Sequence, residues 1–351
     1  MVKSLSVENN IEKKKTTVFI NPASGNMRGE TLYEAFVREL ELDPALKGRI
    51  LSVIKTTEEQ DDETFRKTVV ESDHVIICGG DGTVHRVMNG LLKHSYRKSV
   101  SVYPVGTAND LAKNLNVEKM DFPSFVRKVI SSGYCLKLDI FSVNKKVFFM
   151  NYAGFGFDAF VVDLNVKAIA WLKGFHAVEV LLGFPLFKKA LNEKAIAWLK
   201  GFHAGEVLLG LPLFKKGLFV LIGLLVFVTY EKRLVLNPHG KKYINLIFNN
   251  LSTYAGGSIF SENSSFSDGK PERVFLSSKL DFIKLILNRF HIGVMVYDLG
   301  AATIKTPTKF SFREPDAPRI PVQLDGEEYT EFFSGTNEFE IAWEGRWDVY
   351  R

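Results

Sequence analysis

The chain has 351 residues, of which 46% are hydrophobic and 13% aromatic, and its 45 basic and 40 acidic side chains give a formal net charge of +5. This length favours two domains, and the composition excludes a disordered or fibrous chain. Two cysteines are too few for a disulfide framework and indicate a reducing compartment. The small basic excess suits anionic ligands or a membrane surface and is not typical of a nucleic-acid-binding protein.

The sequence predicts a cytoplasmic protein that is peripheral to the inner face of the membrane. The first residues are basic without an apolar stretch behind them, so we expect a short solvated tail and no secretory signal. The longest uncharged apolar stretch, Gly217 to Tyr230, has about 14 residues and falls short of the ~20 that a spanning helix needs.

Strand-like and helix-like segments alternate through the first third of the chain. Short apolar runs at 17–21, 49–56, 74–78 and 99–105 are typical of strands, and the stretches between them have helical patterns. Buried-type strands that are each followed by a helix predict an α/β domain of three layers around a doubly wound parallel sheet. We place this domain at residues 16–137.

The pattern changes at about Leu138. Short β-rich runs separated by turn residues continue to about Glu328 and predict a C-terminal, β-rich, sandwich-like domain over residues 138–328. A helical insertion interrupts it and contains a tandem repeat at 167–216, in which residues 167–189 recur almost unchanged as 194–216. Two copies are too few for a solenoid and indicate a recent duplication. Apolar residues mixed with lysines suit a helix lying on an anionic bilayer.

Three polar, glycine-bearing turns follow three of the predicted strands. Alone, the first also suits an ordinary strand-to-helix turn, and the second suits Asp81 as a helix cap. Together they converge at the carboxyl ends of parallel strands, where glycines and helix N-termini can approach a phosphate, and this predicts a nucleotide site. The residues concerned are Asn21, Pro22, Ala23, Ser24 and Gly25, then Gly79, Gly80, Asp81, Gly82 and Thr83, then Gly106, Thr107, Asn109 and Asp110.

In this order, NPASG, GGDGT and GTAND resemble the diacylglycerol kinase catalytic-domain family, whose members include bacterial lipid kinases, sphingosine kinases and ceramide kinases. The resemblance continues at Asn151 to Ala159, Ser267 to Gly269 and Leu324 to Glu327. It implies that ATP, with Mg²⁺, phosphorylates the hydroxyl of diacylglycerol or a related lipid alcohol in a cleft between the domains. It also implies that the segment 337–350 returns to the first domain, and that the repeat helices cover a lipid pocket, the alternative to their lying on a membrane.

The resemblance also assigns roles to single residues. The three turns and Thr57, or Thr56 beside it, would line the nucleotide. Asp268 would bind Mg²⁺ together with backbone carbonyls near Ser265 and Lys270, although by itself it marks a plain turn. Glu327 or Asp325 would accept the proton of the lipid hydroxyl, and Asp81 would orient the nucleotide and the metal.

Two departures from the family pattern leave alternatives open. Bacterial members commonly carry Glu where this chain has Arg86, and Asn where it has Ser267. The positive charge of Arg86 would contact phosphate or alter metal use. The alternatives are a sphingoid-base or ceramide kinase and a catalytically silent lipid-binding protein. An NAD kinase also uses a GGDG loop but fits GTAND and LDGE poorly. The sequence leaves the oligomeric state open, a homodimer included.

Overall fold

The computed structural model describes residues 14–56, 62–117, 119–131, 134–173, 212–231, 234–236, 240–254, 257–260, 264–287, 302–313 and 319–351. Thr57 and most of the tandem repeat lie outside these residues. The expected roles of Thr57 and of the two repeat copies therefore stay predictions.

The described strands and helices follow one another closely along the chain. The strands are β1 (Thr16–Ile20), β2 (Ile50–Lys55), β3 (His74–Gly79), β4 (Ser99–Pro104), β5 (Cys135–Val143), β6 (Val147–Phe149), β7 (Tyr152–Gly156), β8 (Leu234–Leu236), β9 (Lys241–Tyr243), β10 (Asn245–Asn249), β11 (Thr253–Tyr254), β12 (Ser258–Ile259), β13 (Glu272–Leu276), β14 (Ala302–Thr303), β15 (Thr308–Ser311), β16 (Val322–Leu324), β17 (Glu327–Glu328) and β18 (Glu338–Tyr350). The helices are α1 (Ser24–Leu42), α2 (Pro44–Lys47), α3 (Asp62–Val69), α4 (Asp81–Lys93), α5 (Asp110–Asn114), α6 (Phe122–Ser131), α7 (Phe157–Lys173), α8 (Pro212–Thr229) and α9 (Lys279–Leu287).

The first sheet has the strand order β2-β1-β3-β4-β18-β5-β6, and β15 pairs with β18. Strands β1 to β4 are parallel, and β1 and β3 are buried along their whole length. Both faces of such strands are covered, which is why their sequences show apolar runs without alternation. The predicted α/β domain with a parallel sheet is confirmed.

Two separate cores cover the two faces of this sheet. Phe19 and Ile77 point to one face and pack against α3, α4 and α5. Their neighbours Val18 and Ile76 point to the other face and pack against α1, α2 and α6. This alternation of side chains across fully buried strands produces the three layers.

The second sheet is antiparallel and has the order β14-β13-β10-β7-β16-β17. The predicted β-rich region is therefore confirmed. A core rich in phenylalanine, with Phe141 and Phe149 from the first sheet and Phe155 and Phe248 from the second, joins the two sheets. On the other side of the second sheet, α7, α8 and α9 close a further apolar core.

The division between the two sheets differs from the domain boundary expected at residue 137. That boundary falls inside β5, and both β5 and β6 pair within the first sheet. The C-terminal strand β18 lies between β4, to which it is parallel, and β5, to which it is antiparallel. The short β-rich runs from 135 onward look alike in sequence, so only tertiary pairing separates the strands of the two sheets.

The apolar stretch from Gly217 to Tyr230 lies largely within α8. None of the helices that the structure describes is long and apolar enough to cross a membrane.

Candidate active site

The turn after β1 is joined to the glycine loop after β3 by a side chain. The amide nitrogen of Asn21 donates to the hydroxyl of Thr83 at 2.8 Å, while its amide oxygen accepts from the backbone of Ala23 at 3.0 Å. Beyond it, Gly25, Asn26 and Met27 all have positive φ, between 61° and 67°. Asn21 thus fixes the first predicted turn against the second.

The second and third turns touch through their backbones. A Cβ added to Gly106 would lie 2.4 Å from the Cα of Gly80, and one added to Gly79 would lie 2.5 Å from the Cβ of Thr83. Only glycine fits such close approaches. The three turns predicted to converge therefore lie side by side at the carboxyl edge of the sheet.

Asp81 links the second turn to the third. Its carboxylate accepts from the backbone nitrogens of Asp110 at 3.1 Å and Leu111 at 3.2 Å, the first residues of α5. Burial, and then the nearby charge of Asp110, raises the pKa of Asp81. The side chain that was expected to cap a helix or orient a nucleotide thus caps α5, across the loop, and not α4, on which it lies.

Three buried polar atoms around these turns have no hydrogen-bond partner among the described residues. They are Thr56 Oγ1 at the end of β2, Asn109 Oδ1 in the third turn and Asn151 Oδ1 before β7. A buried polar atom without a partner is costly, so such atoms mark places where a ligand or water binds. Thr56 is therefore a ligand-contact candidate, whereas Thr57 lies outside the described residues.

Glu327 brings a carboxylate from the second sheet to the glycine loop of the first. A Cβ added to Gly82 would lie 2.0 Å from Glu327 Oε1, so the carboxylate lies directly against the α-carbon of this glycine. Glu327 is exposed at the start of β17. An acidic group open to solvent can accept a proton from a molecule that reaches it.

Asp325, two residues earlier, has a different environment. It is buried, and its carboxylate accepts from the backbone nitrogens of Met150 at 3.1 Å, Asn151 at 2.7 Å and Tyr152 at 3.0 Å. A fourth contact joins it to His85 Nδ1 at 2.9 Å. Four partners occupy the acceptor capacity of both oxygens, which leaves none for a substrate hydroxyl.

His85 and Tyr329 complete this group and were not identified from the sequence. His85 lies on α4, and its Nε2 is 2.7 Å from the hydroxyl of Tyr329, which follows β17. Arg86, next to it, is exposed, and its charge opposes the rise in the pKa of Tyr329 that burial causes. The only sequence signal for His85 is its position one helical turn after Asp81.

The turn around Asp268 lies at a different place. Buried Asp139 holds it, accepting from the backbone of Gly269 and from Trp343 Nε1 at 2.8 Å. Asp268 itself accepts from the backbone of Lys270 at 3.0 Å, and it lines a hollow of about 330 Å³ together with Lys270, Lys305 and Arg346. Ser265 lies in the same turn, with its hydroxyl 3.4 Å from that of Ser267.

The residues around Asp268 offer few side-chain ligands for Mg²⁺. Within the described part of the chain, no cluster of three or more His, Cys, Asp or Glu residues could hold a metal ion. Asp268 supplies a single carboxylate, so the remaining ligands would have to be carbonyl oxygens of the turn, such as those of Ser265 and Lys270. No residue of the three glycine-bearing turns after β1, β3 and β4 lines this hollow.

Comparison with known proteins identifies similar sequences and structures. Residues 15–143 match the family described as "Diacylglycerol kinase catalytic domain". A diacylglycerol kinase of Staphylococcus carnosus is 30% identical over 168 residues, which cover 46% of this chain and 51% of that protein. A mitochondrial acylglycerol kinase of Xenopus laevis is 36% identical over 93 residues, covering 26% of this chain and 21% of that protein.

The sequence similarity is partial, whereas the structural similarity extends over the chain. The chain spans about half the length of the Staphylococcus carnosus relative and less of the other. The crystal structure of a diacylglycerol kinase from Bacillus anthracis superposes with a TM-score of 0.58 and 18% identity, covering 96% of this chain and 97% of that one. At this identity the superposition shows a shared fold.

Proposed function

Because residues 15–143 match the diacylglycerol kinase catalytic-domain family, we propose that this chain is a lipid kinase that transfers the γ-phosphate of ATP to the hydroxyl of diacylglycerol or a related lipid alcohol. The observation that carries the proposal is the position of Glu327, whose carboxylate lies against Gly82 of the glycine loop. The carboxylate of Glu327, from the second sheet, and the glycine loop after β3, from the first sheet, would meet at the place where the lipid and ATP react.

The three turns would hold the triphosphate. Gly79, Gly80 and Gly106 keep side chains out of the loop, so that backbone groups can approach phosphate oxygens, and α4 begins directly behind them. Thr56 and Asn109 have buried oxygens that lack partners in the described structure and would bond to the nucleotide or its water. Asp81 would act indirectly, by keeping the second and third turns together.

Glu327 is the proposed general base of the two candidates. It would accept the proton of the lipid hydroxyl while the hydroxyl oxygen forms its bond to the γ-phosphorus and the bond to the bridging oxygen of ADP breaks. Asp325 is already occupied by four partners and would position the turn. Mg²⁺ bound with ATP would neutralise charge on the phosphates, and a second ion at Asp268 would stabilise its turn.

A peripheral membrane contact would supply the lipid. The face of α8 opposite its buried residues Ile222 and Val226 is apolar and exposed, with Leu221, Leu224 and Val228 between 60% and 74% exposed. An apolar helix face of this kind suits insertion into the headgroup region of a bilayer. This surface, the α8 face, is the proposed contact with an anionic membrane.

The test is phosphotransfer by the purified chain from labelled ATP, with Mg²⁺, to a panel of diacylglycerol, monoacylglycerol, sphingosine and ceramide. We expect a labelled lipid from an acylglycerol, and Glu327→Gln should lower kcat by about 10²- to 10⁴-fold, because it removes the proton acceptor and keeps the size of the side chain. Label on sphingosine or ceramide alone would identify the alternative acceptor.

Two further outcomes would contradict the proposal. Lipid binding without label transfer to any acceptor would identify a catalytically silent protein. Full activity of Glu327→Gln would show that another group accepts the proton. Glu328→Gln, a change at the neighbouring residue of β17, is the matched control for the loss of one negative charge from this strand.

A further inference from the structure

We propose that His85, Asp325 and Tyr329 form a latch between the two sheets that holds Glu327 at the glycine loop. This proposal rests on the proposed function, since it assigns positioning residues to the same site.

The latch is a continuous chain of contacts across the interface, buried at His85 and Asp325 and half-buried at Tyr329. His85 belongs to α4, which packs on the first sheet, whereas Asp325 and Tyr329 flank β17 of the second sheet. The side chains of His85 and Asp325 are 3% and 0% exposed, and their polar atoms are 2.9 Å apart. On its other side, the imidazole is 2.7 Å from the hydroxyl of Tyr329.

The contacts place a proton on the ring nitrogen that faces Asp325. Three backbone N–H groups already donate to Asp325, which matches an ionised carboxylate that only accepts. His85 Nδ1 therefore donates to Asp325 Oδ2. The hydroxyl of Tyr329 faces Nε2 and can either donate to this nitrogen or accept from it.

The turn between Asp325 and Glu327 is too short and too constrained to move independently. Asp325 has φ of 53° and Gly326 has φ of 87°. The backbone nitrogen of Gly326 donates to the side chain of Gln323 at 2.9 Å, and Gln323 in turn donates to buried Asp158 at 3.0 Å. A displacement of Asp325 is therefore transmitted to Glu327, whose carboxylate contacts Gly82.

Two substitutions of His85 distinguish positioning from bulk packing. In His85→Asn the amide nitrogen takes the place of Nδ1 and keeps the donor to Asp325, whereas in His85→Gln the amide reaches only the place of Nε2. We expect His85→Gln to lower kcat by about 10- to 100-fold, since a misplacement of about 1 Å can cost 10²-fold, with the KM for ATP changed by less than about twofold. His85→Asn should lose less than about threefold in kcat.

Tyr329→Phe removes only the contact between the Tyr329 hydroxyl and His85 Nε2. Its kcat should be close to that of His85→Asn. Tyr103→Phe is the matched control, because it loses a comparable hydroxyl contact, to the carbonyl of Met120 at 2.9 Å, away from the latch. Equal decreases of kcat in His85→Asn and His85→Gln, or a change in the KM for ATP without a change in kcat, would overturn the proposal.

Hydrogen exchange separates this proposal from the proposed function. The amides of Met150, Asn151 and Tyr152 donate to Asp325, so their exchange should quicken in His85→Gln and stay slow in His85→Asn. If the parent protein phosphorylates no lipid, the proposed function fails while the exchange rates still test the latch. Unchanged exchange in both variants would overturn the latch even in an active kinase.

Discussion

At the scale of single residues, the glycine-bearing turns were the strongest sequence signal, and the structure gives the reason. Gly80 and Gly106 lie in backbone contact, and Gly82 leaves room for the carboxylate of Glu327. Glycines required by such contacts stand out in a sequence because neighbouring strands and helices rarely contain them in clusters. The sequence alone could therefore predict that these turns lie together.

The roles of the acidic residues could not be predicted in the same way. Asp81, Asp325 and Glu327 all lie in glycine-bearing motifs, yet Asp81 caps a helix, Asp325 is surrounded by four donors and Glu327 is exposed. These differences come from residues distant in sequence, such as His85 with Asp325, which lie 240 positions apart. A local motif contains no information about such partners.

His74 makes the stability of the protein sensitive to acid. It is fully buried between the hydroxyls of Ser99, at 2.8 Å, and Ser101, at 3.1 Å, and burial lowers its pKa from 6.5 to about 3. The folded chain therefore stays unprotonated at His74 while the unfolded chain gains a proton below pH 6.5. The contribution of His74 to the free energy of unfolding is therefore fully present above that pH. It decreases by about 1.4 kcal/mol per pH unit as the pH falls towards 3.

We expect His74→Gln to lose less of its free energy of unfolding than the parent between pH 7 and pH 5, by about 2 kcal/mol. Urea unfolding at the two pH values measures this difference. Ser99→Ala is the control, because it removes one hydrogen bond and keeps the imidazole, so its dependence on pH should equal that of the parent. The same pH dependence in all three proteins would show that His74 is not the group responsible.

At the scale of elements, α8 combines two faces with different surroundings. Ile222 and Val226 pack into the core that α7 and α9 share, whereas Leu221, Leu224 and Val228 are exposed. After Lys215 and Lys216 the sequence of this helix is apolar on all sides, so periodicity alone did not separate its core face from its outer face. Only the position of α8 on the second sheet defines the exposed face.

The triple variant Leu221→Ser, Leu224→Ser and Val228→Ser tests the α8 face as a membrane contact. Burial of one aliphatic side chain contributes about 1.5–3 kcal/mol, so partial insertion of three predicts a loss of at least tenfold in binding to anionic vesicles, measured by sedimentation. Activity on detergent-solubilised lipid should remain. Leu42→Ser, at a leucine that is 81% exposed on α1, is the control, and equal binding of both variants would refute the contact.

At the scale of the whole molecule, the order of strands in the sheets could not be predicted from sequence patterns. Alternating strands and helices predicted a parallel sheet, and that part is confirmed, because local periodicity reports which faces of an element are buried. The place of β18 depends on pairing across almost the whole chain: Val349 lies beside Val100 and Leu136. Such distant pairings leave no mark in the local sequence, and only the family resemblance suggested the return of the segment 337–350.

This strand order predicts that the family-matched segment does not fold alone. The match ends at residue 143, and even a fragment through β6, residues 14–149, lacks the strand that lies between β4 and β5. Trp347 and Val349 of β18 are buried in the core beneath α4, so their absence would leave apolar surface and two unpaired strand edges exposed to water. We expect fragment 14–149 to show no cooperative urea transition by circular dichroism.

Residues 337–351, joined to the end of this fragment by a flexible Gly/Ser linker, should restore the transition, because they return the missing strand to its position. A linked segment of the same composition in scrambled order is the matched control, since it adds equal length and hydrophobicity without the pairing register of Trp347 and Val349. A cooperative transition in fragment 14–149 alone would mean that β4 and β5 can pair without β18. In that case the C-terminal strand would be an addition to a finished domain, whereas the sheet order makes it the strand on which the closure of both cores depends.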